Sequence, residues 1–377
     1  MSKKNTNTRA VKVQQKNEPT ANDTIQKMNT IVSKQPTFIA VDLGTANTIV
    51  YVSSHGIIFN EPTILAYATK TGEILYVGKK AYKMVGKTHD KITLVRPLEA
   101  GVISDLEATQ DLLEYIFNKY KINDLWENSI VLIAAPSGVT ELEQQALREI
   151  TYKLGAKFVF IEPEAKMAAL GAGINIFRPK GSLIVDIGGG TTDIAVIAAG
   201  DIVVSDSIKI AGMIFDEEIQ KMVRTKYNVM IGLLTSEKIK FSLVSLFTTE
   251  QESRIGAYGR DVATGLPKVF GIDPEDVRRA LKEDVIPRVV HAINELLEVT
   301  PPELSADIKQ SGIILSGGGA LFRGIDTYLE SIFKLPVQIV SNPLLGVIEG
   351  AKLYEKEIIK NVLKEEEKSA SMAENMQ

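Results

Sequence analysis

Cysteine is absent from the 377-residue chain, and histidine occurs only three times. The first absence excludes disulfides, thiolate zinc sites, iron–sulfur clusters and a cysteine nucleophile. The histidines, His55, His89 and His291, are scattered, so a His-rich metal site and Ser/His/Asp catalysis both lack a supporting pattern. Tryptophan occurs once, as Trp126. No run of about 18 uncharged apolar residues is present, so nothing reads as a transmembrane helix. The N-terminus lacks the apolar core of a secretory signal, and the cytoplasm is the expected location. A basic excess is lacking too: 43 Lys and Arg against 47 Asp and Glu leave a net charge of −4. A general nucleic-acid binder is therefore not expected. What is present is an ordinary globular composition, 45% hydrophobic and 24% charged. At roughly 150 residues per domain, the length allows two or three domains.

Residues 1–36 stand apart. They are rich in Lys, Asn, Thr and Gln and hold seven basic residues against Glu18 and Asp23. That composition cannot bury enough apolar surface to fold alone. Within it Ile25, Met28, Ile31 and Val32 recur at helical spacing beside Lys27 and Lys34. The extension is therefore either a disordered tail or a short amphipathic helix suited to an anionic membrane. The folded body begins near Thr37. Buried strands are expected at residues 38–44, 129–137 and 158–164, with two further strands following the first. Helical periodicity marks residues 106–120, 141–154, 213–227, 236–247, 273–282, 284–299 and 345–364. The charged segment after 364 reads as a solvated, mobile tail.

One internal repeat organises the chain. Val41-Asp42-Leu43-Gly44-Thr45-Ala46-Asn47-Thr48 matches Val185-Asp186-Ile187-Gly188-Gly189-Gly190-Thr191-Thr192 at Val, Asp, Gly and the last Thr. Each copy ends one strand and precedes another. Two related α/β domains facing across a cleft would produce this pattern, with boundaries expected at 37–178 and 179–344 and the helix over 345–364 closing the first. A third glycine turn, Ser316-Gly317-Gly318-Gly319, also follows a buried strand. Glycines let backbone N–H groups converge on an anion, and threonine hydroxyls add donors. Three such turns predict a phosphate cradle. Asp42 and Asp186, just ahead of two of them, suit Mg²⁺ held directly or through water, or else cap their own turns. A Rossmann loop would have to open a helix, whereas strands follow here. Gly86-Lys87-Thr88 imitates a Walker A ending, but Ala81 occupies the position of its first glycine.

As an ordered set, these segments resemble the MreB family of bacterial actins, within the superfamily of actin, heat-shock chaperones and sugar kinases. The resembling stretches include DLGTANT, GIIFNEP, RPLEAGVISD, VDIGGGTTDIAVI, FDEEI, TSEKIK and LSGGGALFRGID, in order across about residues 37–360. The resemblance implies an actin-like two-domain α/β fold binding ATP or ADP with Mg²⁺. It implies that Asp42 and Asp186 order Mg²⁺ and water. Gly44, Thr45, Ala46 and Asn47 would wrap the phosphates from one side, and Gly188, Gly189 and Gly190 from the other. Glu237 and Lys240 would contact ribose and adenine, and Gly317, Gly318 and Gly319 would line the adenosine. Glu164 would position the attacking water beside Thr191, a role that suits a carboxylate in phosphoryl transfer; the bland alternative is a surface glutamate at a helix start. Two departures stand out: Pro163-Glu164-Ala165-Lys166 where the family reads Glu-Glu-Pro-Met, and Ala211-Gly212-Met213 where it tends to Gly-Gly-Asp.

The family also inserts an exposed apolar pair into lipid. Here the matching loop, residues 121–128, holds Leu125 and Trp126. Tryptophan suits a membrane interface, although packing on its own domain would also account for it. The expected partners are further copies of the chain in filaments, related paralogues, and the inner face of the cytoplasmic membrane, with no nucleic acid. The expected role is a cytoskeletal ATPase for cell shape, or for shape and motility in a wall-less cell. The alternatives are a sugar-kinase-like phosphotransferase, a heat-shock-type chaperone, and a filament paralogue whose hydrolysis is weakened by Lys166.

Overall fold

Two strands of the repeat each run through the middle of a five-stranded sheet. The computed structural model describes residues 36–120, 122, 129–248 and 252–375, with side chains to Lys364. In the first half the order along the chain is β1 (Thr37–Leu43), β2 (Asn47–Val52), β3 (Gly56–Pro62), β4 (Leu65–Ala68), β5 (Ile74–Val77), α1 (Lys79–Tyr82), β6 (Ile92–Val95), β7 (Leu98–Glu99), β8 (Val102–Ile103), α2 (Leu106–Lys119), β9 (Ser129–Ala135), α3 (Glu141–Lys153), β10 (Phe158–Pro163) and α4 (Glu164–Gly171). The second half holds β11 (Ser182–Ile187), β12 (Thr192–Ala198), β13 (Asp201–Ile208), α5 (Gly212–Tyr227), β14 (Val229–Met230), α6 (Leu233–Leu243), β15 (Ile255–Asp261), β16 (Pro267–Ile272), α7 (Pro274–Ala280), α8 (Ile286–Val299), α9 (Pro302–Ser311), β17 (Ile313–Ser316), α10 (Ile325–Phe333), β18 (Val337–Ile339) and α11 (Gly346–Asn375).

The two large sheets share a layout. Their orders are β10-β9-β1-β2-β3 and β13-β12-β11-β17-β18. In each, three consecutive strands pair antiparallel and two later strands add parallel to the first. The eight-residue repeat is therefore the visible part of a duplicated topology. Parallel pairing demands cover on both faces, and β1, β9 and β11 are apolar and buried along almost their whole length. One core, with Val185, Phe215, Ile272, Val289 and Leu315, fills the second half. Another, with Ile39, Val50, Leu112 and Ile133, lies under α2. A third joins the halves: α11 contributes Ile348, Ala351, Tyr354 and Ile358, α4 contributes Met167 and Ala168, and both sheets contribute strand residues.

Helix starts follow local chemistry. Asp105 caps α2 through Ala108 N–H, and Thr140 with Glu143 forms a reciprocal capping box on α3. Three expectations change. The helix expected over 236–247 occupies Leu233–Leu243. The break expected after Lys282 is instead a π-helical turn, Leu281–Val285, leading straight into α8; a wide turn accommodates Pro287, which has no N–H to give. The last helix continues through the charged segment to Asn375 rather than ending near 364. The small sheets β5-β4-β6 and β14-β15-β16 were not anticipated.

Candidate functional site

The two repeated hairpin turns meet tip to tip. Their registers correspond, with Leu43 opposite Thr48 and Ile187 opposite Thr192. A Cβ on Gly190 would lie 2.4 Å from Thr45 Oγ1, and one on Gly189 would lie 2.4 Å from the Ala46 Cβ. The loops therefore approach as closely as glycine permits. The third turn follows β17, and Gly317 has a φ of 77°. These loops line one cavity of about 530 Å³, with Gly44, Thr45, Ala46 and Asn47 on one wall and Gly188, Gly189, Gly190, Gly317, Gly318 and Gly319 on the other. That volume is in the range of small-ligand and cofactor sites.

Acidic groups gather at its floor. Asp42, Glu164 and Asp186 all line the cavity. Glu164 opens α4 directly after Pro163 and is 9% exposed, so it is not a surface helix-start residue. Its Oε1 and the Asp186 Oδ1 are buried without a hydrogen-bond partner among the described residues. Burial pushes the Asp42 carboxyl up to about 7. Burial, then the nearby Asp193 and Asp42 charges, push Asp186 up to about 8. Burial and the charges of Asp193, Asp42 and Asp186 raise Glu164 well above the usual carboxylate range. Among the described residues no three acidic or histidine groups converge to hold a metal ion by themselves, so the orphaned lone pairs of Glu164 and Asp186 fit a cation carried on phosphates and met through water, which would supply the missing positive charge.

Asp193 is a member of this cluster that the sequence reading passed over. It stands opposite Asp186 in the β11–β12 register and accepts a 2.8 Å hydrogen bond from the Ser137 N–H in the other half. Burial raises its carboxyl, against the lowering effect of hydrogen bonds from Ser137, Thr191 and Ser207. Its own motif held the signal: TTD places a second acid one strand away from Asp186. Thr191 is buried and lines the same cavity as Glu164.

The opposite end of the cavity is built on α5 and α6. Glu237 and Lys240, one turn apart, both line it. The Lys240 ammonium is already engaged, at 2.6 Å from Asp216 Oδ2 and 2.8 Å from the Gly212 carbonyl. Asp216, from the FDEEI segment, is thus the buried residue that fixes Lys240. Glu237 accepts a 2.6 Å hydrogen bond from the Tyr82 hydroxyl of the first half. Phe241, Leu321 and Leu344 add exposed apolar surface to the cavity wall. Met213 also lines it, and its N–H donates to the Gly189 carbonyl.

Lys166 does not join the site. Its ammonium lies 2.9 Å from Glu162 Oε2 and over the Tyr354 ring, in a largely buried position between β10, α4 and α11. Leu125 and Trp126 fall outside the described residues, as does the amphipathic stretch of the N-terminal extension. No helix of the described residues is long and apolar enough to cross a membrane.

Two halves of duplicated topology around a glycine-lined, carboxylate-floored cleft define the actin-like class. Within that class the chain belongs to the MreB/Mbl family: the model for MreB/Mbl protein matches residues 36–363. The chain is 46% identical over 312 residues to the cell shape-determining protein Mbl of Bacillus cereus, covering 83% of this chain and 93% of that protein. It is 38% identical over 317 residues to the cell shape-determining protein MreB of Escherichia coli, covering 83% and 91%. Among solved structures, MreB 5 of Spiroplasma citri bound to AMPPNP superposes with a TM-score of 0.85 at 52% identity, over 88% of this chain and 99% of that one. The MamK double helical filament, at 23% identity and a TM-score of 0.70, shares the fold.

Proposed function

We propose that the chain is a polymerising ATPase of the cell-shape cytoskeleton, binding Mg²⁺ and ATP in the cleft between residues 37–178, closed by 345–364, and residues 179–344. The observation that carries this is the meeting of three glycine turns over a floor of raised carboxylates, of which Glu164 and Asp186 each keep one oxygen without a partner among the described residues. The backbone N–H groups of Gly44 to Asn47 and of Gly188 to Gly190 would hold the phosphates. Glu237 and Lys240 would take the ribose and base, with Gly317 to Gly319 against the adenosine. Asp42 and Asp186 would hold Mg²⁺ chiefly through water. Mg²⁺ would neutralise charge on the phosphates. Glu164 would align the attacking water, with Thr191 beside it; this chemistry mostly needs positioning.

Nucleotide binding would draw the two halves together and favour head-to-tail association. Heterologous contacts of that kind do not close on themselves, so they give filaments. The AMPPNP and ADP complexes of Spiroplasma citri MreB 5 support the nucleotide reading. Family membership favours it over a sugar-kinase phosphotransferase. The pairing of Lys166 with Glu162, away from the cavity lining, supports ordinary rather than weakened hydrolysis. Association with the inner membrane face, through Leu125, Trp126 and the basic extension, completes the proposal, as does a role in wall-less shape and motility.

High-speed sedimentation with Mg·ATP, Mg·ADP and no nucleotide tests it, with phosphate release followed in parallel. Nucleotide-dependent pelleting of filaments is expected. A chain that binds ATP yet stays in the supernatant at every concentration would overturn polymerisation.

A further inference from the structure

Tyr82 lies at the end of a one-turn helix, α1, far from the glycine turns in sequence. That turn is well anchored. Ala81 is fully buried, Lys79 N–H donates to Glu61 Oε2 at 2.9 Å, and Tyr82 packs in the small cluster with Ile64, Ala66 and Ala81. The Arg96 guanidinium sits 5.8 Å from the centre of the Tyr82 ring, so the ring is held from a second side. From this platform the phenol reaches across the mouth of the cavity to Glu237 Oε2, at 2.6 Å. Among the described residues, this is the one hydrogen bond from the β4–β6 region to the second half. Glu237 stands on α6, which is itself fixed one turn later by the buried Lys240–Asp216 pair.

We propose that Tyr82 is a positioning residue for Glu237, tying the two halves together across the mouth of the cleft and setting the orientation in which Glu237 meets the sugar hydroxyls of a bound nucleotide. The proposal rests on the nucleotide reading of the cleft. A carboxylate has two oxygens and can accept from several donors. Tyr82 occupies Oε2 and leaves Oε1 for a second donor. The phenol can act only as donor to this acceptor: burial and the Glu237 charge push Tyr82 up, so it keeps its proton across the physiological range. The bond thus serves two ends at once. It orients the carboxylate, and it must break if the mouth is to widen for exchange.

The test uses the full chain. Because the chain has no cysteine, Lys80→Cys and Lys238→Cys, both at exposed positions, give two unique spin-label sites on either side of the mouth. Tyr82→Phe keeps the ring and its packing and removes only the hydroxyl. In the nucleotide-free protein it should widen the label-to-label distance distribution. Glu237→Gln, which retains an acceptor oxygen, should leave the short distance in place. Release of the fluorescent analogue mant-ADP, measured by stopped flow, should be about tenfold faster in Tyr82→Phe, the scale of a hydrogen bond to a charged group.

An unchanged distance in Tyr82→Phe would overturn the tie whatever the nucleotide result. A widened distance with unchanged release would overturn the positioning of Glu237. If the unsubstituted chain fails to bind mant-ADP, the nucleotide reading falls and the positioning role falls with it, which is a separate signature from either of those outcomes.

Discussion

At the scale of single residues, Glu164 and Lys166 carry a contrast that two positions in a sequence do not display. An α-helix turns about 100° per residue, so residues two apart point to nearly opposite sides. Glu164 faces the carboxylate floor of the cleft, and Lys166 faces Glu162 and Tyr354. The Glu164 carboxyl is raised by burial and by the Asp193, Asp42 and Asp186 charges, while the Lys166 ammonium is engaged by Glu162. Lys166→Met therefore strands the Glu162 carboxylate beside apolar surface. It should destabilise the fold by about 1–3 kcal/mol in urea unfolding, with phosphate release per bound nucleotide close to that of the unsubstituted chain. Glu164→Gln should do the reverse: stability and nucleotide affinity hold, and phosphate release drops about 10²-fold. Equal losses of turnover in the two variants would show that this separation is wrong. The identities and spacing of the glycine and aspartate residues were legible from their repeat. The engagement of Lys240 by Asp216, and of Glu237 by Tyr82, was not, because the partners lie 24 and 155 residues away.

At the scale of elements, α4 is positioned by its crossing with α11. The two helices touch backbone to backbone. A Cβ on Gly350 would lie 1.7 Å from the Met167 carbonyl oxygen, and one on Gly171 would lie 2.0 Å from that of Gly346. No rotamer change relieves a contact between a Cβ and a backbone, so Gly350→Ala must push the helices apart. The expected cost is about 1–3 kcal/mol or more, read as a lower urea midpoint. Since α4 begins with Glu164, phosphate release should fall in the same variant. A variant with native turnover and stability would mean that the crossing does not hold Glu164 in place. Strands buried on both faces, such as β1, β9 and β11, were legible as continuous apolar runs. β15 and β16 were not, because their outer face is exposed: Tyr258 and Val269 pair across the two strands and are 74% and 65% exposed. The turn between them had a signal, Asp261 accepting from Ala263 and Thr264 N–H groups ahead of Gly265.

At the scale of the whole molecule, the cleft trades stability against function. Asp42 and Asp186 are raised from 3.8 to about 7 and about 8. Between those limits the folded protein keeps protons that the unfolded chain has released. Folding stability therefore falls as pH rises from about 4 to about 8, the sign required when the native state binds more protons. A cation with phosphates favours the ionised carboxylates and reverses the effect. Thermal unfolding at about pH 5.5 and about pH 8.5 should show the gain from Mg·ADP widening at the higher pH. Asp186→Asn should flatten the pH slope of the free protein and abolish most of the Mg·ADP gain. A slope unchanged by this substitution would show that Asp186 does not carry the linkage.

The sequence by itself determined the duplicated motif, the glycine turns and the alternation of apolar strands and amphipathic helices. These are local properties: a glycine's backbone freedom and a residue's polarity travel with it wherever it lands. From the order of the motifs, the actin-like architecture and the family were already legible. Only the tertiary structure decided which groups share the cleft and which are turned away from it. Burial and charge proximity depend on the distance between elements, and that distance is set when the two sheets and α11 close on a common core. The raised carboxylates, the partnerless oxygens of Glu164 and Asp186, the seclusion of Lys166 and the Tyr82–Glu237 bond all arise from that closure.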